Sequence, residues 1–272
     1  MFGIRLVQMD TIYRDPAGNR QRIRELVDEA CATANGREPA DLIVFPETCT
    51  AGYSEEVFKE IERFAEENGG GTLRLFKELA ASRKVCICTG SFPEKEGENI
   101  YNTVWFVDRT GRVVSKYRKM HLYSAMDEDQ AFTHGTQMPV FETEFGPMAM
   151  MTCYDIRFPE LSRTYAVRGA EAILVVSNFP NPKVKHWRTL LTARAIENQL
   201  YVIACNRVGA AGGSTYFGHS LIIDPWGEIV AEGDEAEGIV SGCADFEKVR
   251  QVRETIPMYA DRRPASYPGW SV

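Results

Sequence analysis

The spacing of apolar residues along the chain changes in a regular order. In "GIRLVQMD" (residues 3–10) apolar and polar positions alternate as in a strand, and Ile23, Leu26, Val27, Ala30, Cys31 and Ala34 then recur on one helical face. "DLIVFPE" (41–47) is a continuous apolar run ending in turn chemistry, the pattern of a strand buried on both faces. Val57, Ile61 and Phe64 mark a second helix, Leu73 to Leu79 a third, and "VCICTGS" (85–91) returns to strand. "YNTVWFV" and "RVVSKYR" are joined by Asp108 to Gly111, a hairpin signature. After a longer loop from His121 to Pro139, "MAMMTC" reads as strand and "PELSRTYAVRG" as a helix opened by Pro159 and stopped by Gly169. "AILVVSN" is strand, "HWRTLLTARAIENQ" helix and "YVIACN" strand again.

Strands alternating with helices predict an α/β fold. "SLIIDPWGEIVAEG" near the end is comparable with "VWFVDRTGRVVSKY", with Asp108 and Asp224, and Gly111 and Gly227, both separated by 116 residues. This suggests an internal two-fold repeat of two half-sheets packed face to face; that hairpins simply resemble one another is an equal alternative. No linker or low-complexity tract divides the chain, so residues 1–272 read as one domain, with "NGGG" (68–71) only a break between helices. "RETIPMYADRRPASYPGW" (253–270) lacks periodicity and reads as an extended tail over the surface or a partner, or as disordered chain.

The balance of charge narrows the partners. A net charge of −7 argues against a nucleic-acid footprint, and an anionic ligand would need a placed cation to overcome the global field. No apolar run approaches the length of a membrane span and the N-terminus lacks signal-peptide character, so a cytoplasmic protein is expected. Seven cysteines, an odd number, imply reduced thiols, and four histidines without metal-ligand spacing give no support for a metal site. Cys31, Cys86, Cys88, Cys205 and Cys243 fall on apparent core faces.

Cys153 stands apart. It lies where a strand gives way to a helix, beside backbone N–H groups that can lower a thiol pKa and hold an oxyanion. A thiolate alone does not cleave an amide, because the leaving nitrogen needs a proton and water must later be activated. No histidine is near in sequence, so the proton carrier is sought among carboxylates, and Glu47, after "LIVFP", is the candidate: either a solvated loop acid or a buried one with raised pKa. Lys119 in "KYRKMHL" is either part of a solvated basic face or, pointing inward, an oxyanion donor.

Glu, Lys and Cys in that order, with "FPET", "GY" at 52–53, "YRKMHL", "CYDIRFPE" and "HWRTLLTARAIENQ" followed by "GHSLIIDPWG", resemble the nitrilase superfamily of carbon–nitrogen hydrolases over nearly the whole chain. The resemblance implies a four-layer αββα sandwich with an internal pseudo-two-fold. It implies Glu47 as general base and acid, Lys119 as stabiliser of the tetrahedral intermediate and Cys153 as nucleophile, with the Tyr154 backbone N–H as second oxyanion donor. A second glutamate, Glu128 of "MDEDQAF", is expected to orient Lys119 and the substrate. The compact "KMHL…MDE" segment together with "CYDIRFPE" is similar to the bacterial ω-amidase-like branch, which hydrolyses the terminal amides of 2-oxoglutaramate or 2-oxosuccinamate. For a carboxylate-bearing substrate Arg157 is the candidate cation, unless it pairs with Asp155 or Glu160, and Tyr53 a pocket wall. Cleavage of N-carbamoyl amino acids, other aliphatic amides or nitriles by the same triad remains an alternative, as does a non-catalytic scaffold. A glutamine amidotransferase-type hydrolase fits poorly, since "MTCYD" lacks a glycine-flanked elbow. The resemblance further implies a homodimer, and a mechanism needing no metal and no organic cofactor.

Overall fold

Successive side chains of a strand point to opposite faces, and in this chain both faces are covered. In the computed structural model, which describes residues 1–32 and 39–266, Leu42 and Val44 belong to one buried cluster while Ile43 and Phe45 belong to another. Cys86 and Cys88 divide in the same way from Val85 and Ile87, and Val104 and Phe106 from Trp105 and Val107. The first cluster joins two sheets face to face. The second joins the outer face of one sheet to helices Pro16–Cys31 and Gly70–Arg83 through Ile23, Leu26, Val27, Leu75, Phe76 and Leu79.

The first sheet runs in the order Gly238–Ala244, Phe2–Gln8, Leu42–Val44, Cys86–Glu96, Asn99–Val107, Val113–Arg118, with the two-residue strand Glu66–Glu67 added beside Cys86–Glu96. The second runs Val140–Thr143, Gly146–Thr152, Ala172–Ser177, Tyr201–Asn206, Leu221–Ile223, Ile229–Glu232. Each has an antiparallel edge strand, three parallel strands and an antiparallel pair. Each parallel crossover carries a helix, Pro159–Val167 and Val184–Asn198 serving the second sheet, with Leu161, Tyr165, Trp187 and Leu191 packed inward. The internal repeat is therefore one of topology as well as of hairpin sequence, and the layers are helix, sheet, sheet, helix.

Several expectations need correction. Phe2–Gln8 is buried at every position despite its alternating polarity, because it is an interior strand covered on both sides. The helix marked by Val57 and Phe64 is two short ones, Glu55–Lys59 and Ile61–Phe64. Cys31 and Cys243 are half-buried rather than core residues, while Cys49, Cys86, Cys88 and Cys205 are buried; all seven cysteines are unpaired. The segment after Arg253 is not extended: helix Phe246–Thr255 is followed by helical turns at Met258–Asp261 and Pro264–Ser266, while 267–270 of the expected tail and Ala34 lie outside the described residues. That helix was legible, for Asp245 caps it and Phe246, Val249 and Val252 form its buried face. Among the described residues no helix is long and apolar enough to cross a membrane.

Candidate active site

Open α/β sheets receive ligands in the crevice outside the carboxyl ends of their parallel strands. Glu47 lies just beyond Leu42–Val44, in a turn clamped against the neighbouring strand. Thr48 N donates to Ser91 Oγ at 2.9 Å, Cys49 N to Ser91 O at 3.0 Å, and Ser91 N to Pro46 O at 3.3 Å. Gly90 permits this approach. Its φ is +68°, and a Cβ there would fall 2.1 Å from Pro46 O.

Lys119 follows Val113–Arg118 and points inward, not to solvent. Its Nζ donates to Glu47 Oε1 at 2.8 Å and to Glu128 Oε1 and Oε2 at 2.8 and 2.9 Å; all three side chains are fully buried. Glu128 opens the short helix Glu128–Ala131 and also accepts from Tyr53 OH at 2.8 Å, Tyr123 N at 2.7 Å and Asn102 Nδ2 at 3.1 Å. Glu47 accepts from Asn102 Nδ2 at 3.0 Å and, through its other oxygen, from Asn178 N at 2.9 Å. An ion cluster removed from water is tenable only when its remaining lone pairs are occupied in this way.

Cys153 ends the strand Gly146–Thr152 and begins the 3₁₀ segment Cys153–Arg157, with φ +45°. A non-glycine residue held there stores about 1–3 kcal/mol of strain, which surrounding contacts must offset. Asp155 supplies them. Its carboxylate accepts from Thr152 N at 2.9 Å, Tyr117 OH at 2.6 Å and His121 N at 3.1 Å, and is bonded to His121 Nδ1 at 2.7 Å. Tyr117 and His121 lie on either side of Lys119, so one buried carboxylate ties the turn of Cys153 to that of Lys119.

Cys153 opens into a cavity of about 320 Å³ walled by Tyr53, Tyr123, Met126, Tyr154, Phe179, Pro180, Ser214 and Tyr216, with Arg157, Asn178 and Lys183 as its other polar lining. Arg157 stacks over the Phe179 ring at 5.2 Å and makes no ion pair with Asp155 or Glu160, the alternative raised by sequence. Asp155 is occupied by the bonds above. Among the described residues no three His, Cys, Asp or Glu side chains converge as a metal site requires.

The electrostatics differ from the sequence expectation at one point. Burial pushes the Cys153 thiol well up, and the charge of Glu47 adds to this more than Lys119 opposes it, so the turn does not lower the pKa. Desolvation in a closed floor outweighs a few exposed N–H groups. Glu47 is raised by the same burial against the pull of Lys119. For Lys119 burial acts downward, but the charges of Glu128 and Glu47 prevail and hold the ammonium above the lysine range. A protonated thiol thus sits beside a carboxylate with raised proton affinity and a fixed cation.

Glu47, Lys119, Glu128, Cys153 and Tyr53 are brought together, and Tyr154 and Arg157 reach the same cavity. Sequence reasoning missed Asn102, Asn178, Asp155 as a tie, and Lys183. Asn178 closes the predicted strand "AILVVSN" and was findable as the polar end of that apolar run; Asn102 lies within a strand and carried no comparable signal.

A family model for carbon–nitrogen hydrolases matches residues 3–254. The 2-oxoglutaramate amidase of Bacillus subtilis (strain 168) is 36% identical over 264 residues, covering 97% of this chain and 98% of that one. The omega-amidase NIT3 of Saccharomyces cerevisiae is 30% identical, covering 96% and 92%. The crystal structure of Saccharomyces cerevisiae Nit3, a member of branch 10 of the nitrilase superfamily, superposes with a TM-score of 0.85 at 29% identity and 94% coverage of each chain. XC1258 from Xanthomonas campestris, a CN-hydrolase superfamily protein with an arsenic adduct in its active site, gives 0.86 at 30% identity, covering 96% and 97%. With the layered fold and these relatives in agreement, the chain belongs to the carbon–nitrogen hydrolase family of the nitrilase superfamily and is an enzyme, an amidase.

Proposed function

We propose that the protein is an ω-amidase that hydrolyses the terminal amide of a short 2-oxo acid, such as 2-oxoglutaramate or 2-oxosuccinamate, through a thioester on Cys153. The observation that carries this reading is the buried Glu47–Lys119–Glu128 cluster close enough to act electrostatically on Cys153, whose side chain lines the cavity. The relatives' names, 2-oxoglutaramate amidase and omega-amidase, supply the substrate class.

Glu47 takes the thiol proton as Cys153 Sγ attacks the amide carbon. A thiol with a raised pKa stays neutral until substrate arrives, and a carboxylate with raised proton affinity is suited to receive its proton. Lys119 Nζ and the Tyr154 N–H hold the developing oxyanion. Protonated Glu47 then gives its proton to the leaving nitrogen, ammonia departs, and the acyl group remains on sulfur. Water delivers a proton to Glu47 and its oxygen to the thioester carbon; collapse releases the acid and restores the thiol. Glu128 fixes the lysine through both its oxygens, and Tyr53 OH fixes Glu128. Arg157 receives the substrate carboxylate. No step needs a metal or organic cofactor.

The deciding experiment measures ammonia release from 2-oxoglutaramate, 2-oxosuccinamate, glutamine, N-carbamoyl-β-alanine and a simple nitrile. Preference for the 2-oxo amides supports the reading. Turnover of only the carbamoyl compound or the nitrile refutes the substrate while retaining the triad. We also propose a homodimer in the cytoplasm, for which a monomer mass by sedimentation at micromolar concentration is the refuting result.

A further inference from the structure

The cavity wall carries a second cation that the reaction above does not use. Lys183 follows the loop that begins at Asn178, immediately before helix Val184–Asn198. Its backbone is anchored: Lys183 N donates to Pro180 O at 3.3 Å, and its carbonyl accepts from Trp187 N at 3.0 Å. The ammonium lies over the Tyr123 ring at 5.6 Å, as Arg157 lies over Phe179. Neither cation has a carboxylate partner among the described residues, and no Asp or Glu lines the cavity. In a chain of net charge −7 this wall is locally positive.

We propose that Lys183 selects an amide bearing a 2-oxo acid over its 2-amino counterpart. The inference rests on the ω-amidase reading and deepens it. A 2-oxo acid presents a carboxylate and an adjacent carbonyl oxygen, two acceptors side by side. A guanidinium takes the carboxylate in its fork, and an ammonium is a compact donor for the neighbouring oxygen. Replacing that carbonyl by an amino group places a second ammonium in the same aromatic-walled space, where like charges repel in a medium that screens them poorly. Selection then comes as much from rejecting the wrong substrate as from holding the right one.

The test compares specificity constants for 2-oxoglutaramate, glutamine and uncharged pentanamide in the wild type, Lys183→Met and Lys183→Arg. The expected result is that Lys183→Met narrows the 2-oxoglutaramate-to-glutamine ratio by about tenfold, mostly through KM, and Lys183→Arg largely restores it. A ratio that stays within about twofold in Lys183→Met, while the wild type prefers 2-oxoglutaramate, overturns this role and leaves the ω-amidase reading standing. An equal loss on all three amides in Lys183→Met also overturns it, since a merely structural lysine would act so. Faster wild-type turnover of pentanamide than of both charged amides refutes the parent reading, and the proposal with it.

Discussion

The two half-sheets share a topology but not a chemistry. In the first half, the strand Leu42–Val44 leads to Glu47 and the strand Val113–Arg118 to Lys119. At the corresponding places of the second half stand Asn178, after Ala172–Ser177, and the partly exposed end of Ile229–Glu232. The first parallel strands differ most. Gly146–Thr152 ends at the strained Cys153 beside an open cavity, whereas Phe2–Gln8 leads to Asp10, whose carboxylate meets the buried Arg207 at 2.7 Å and whose backbone bridges to Val208. One strand end is kept open and its counterpart is closed by an ion pair. A repeated scaffold thus makes one site, the first half contributing the buried carboxylates and their lysine and the second the thiol and both cations of the cavity wall. Neither half holds a complete set.

Substitutions sharpen this division. The largest effect is expected in the second half: Cys153→Ala lowers ammonia release by on the order of 10⁴-fold or more. Because alanine inherits the same backbone strain, its thermal midpoint should stay near that of the wild type. A variant that retains full activity would remove Cys153 from the mechanism.

In the first half, chemistry and stability are expected to fall together. Lys119→Met should cost about 10²–10³ in kcat from the lost oxyanion donor. It also leaves Glu47 and Glu128 buried without their cation, a penalty of about 3–5 kcal/mol readable in the urea midpoint. Equal stability of Lys119→Met and Cys153→Ala would contradict the contrast between the halves.

Asp155 joins the two, so it is a positioning residue. Asp155→Asn keeps the side-chain shape but weakens the bonds to Thr152, Tyr117 and His121, and should lower kcat by about tenfold with KM little changed. A rise in KM at constant kcat would show that the tie serves substrate binding instead.

The smallest effect is a displacement in pH dependence. In the proposed mechanism Glu47 must be ionised to accept the thiol proton, so kcat/KM is expected to fall as pH drops through its pKa. Burial raises that pKa above the ordinary glutamate value of 4.5, and the acid limb should have its midpoint above that value. A midpoint at or below it, in a pH-rate profile of the intact enzyme, would exclude Glu47 as the base.

The alternation of strands and helices and the doubled hairpin were legible in the sequence, and Glu47, Lys119 and Cys153 stood out there as candidates, the first two each open to a solvated reading until the family resemblance joined them. Periodicity separates strand from helix, although in Phe2–Gln8 it did not show that both faces are covered, and a polar residue at the end of an apolar strand stands out against its neighbours. Only the tertiary structure decided how those residues are charged and held. The direction of the Cys153 shift depends on how completely the turn is shut from water, which no local pattern records. Asn102, 55 residues from Glu47 and 26 from Glu128, bonds to both only because the strand Asn99–Val107 lies beside them. Lys183 had no strand-end position or charged motif to mark it, and its ammonium acquires meaning from the cavity it borders. Side-chain chemistry is a property of residues; proton affinity and selectivity belong to the space that distant segments enclose together.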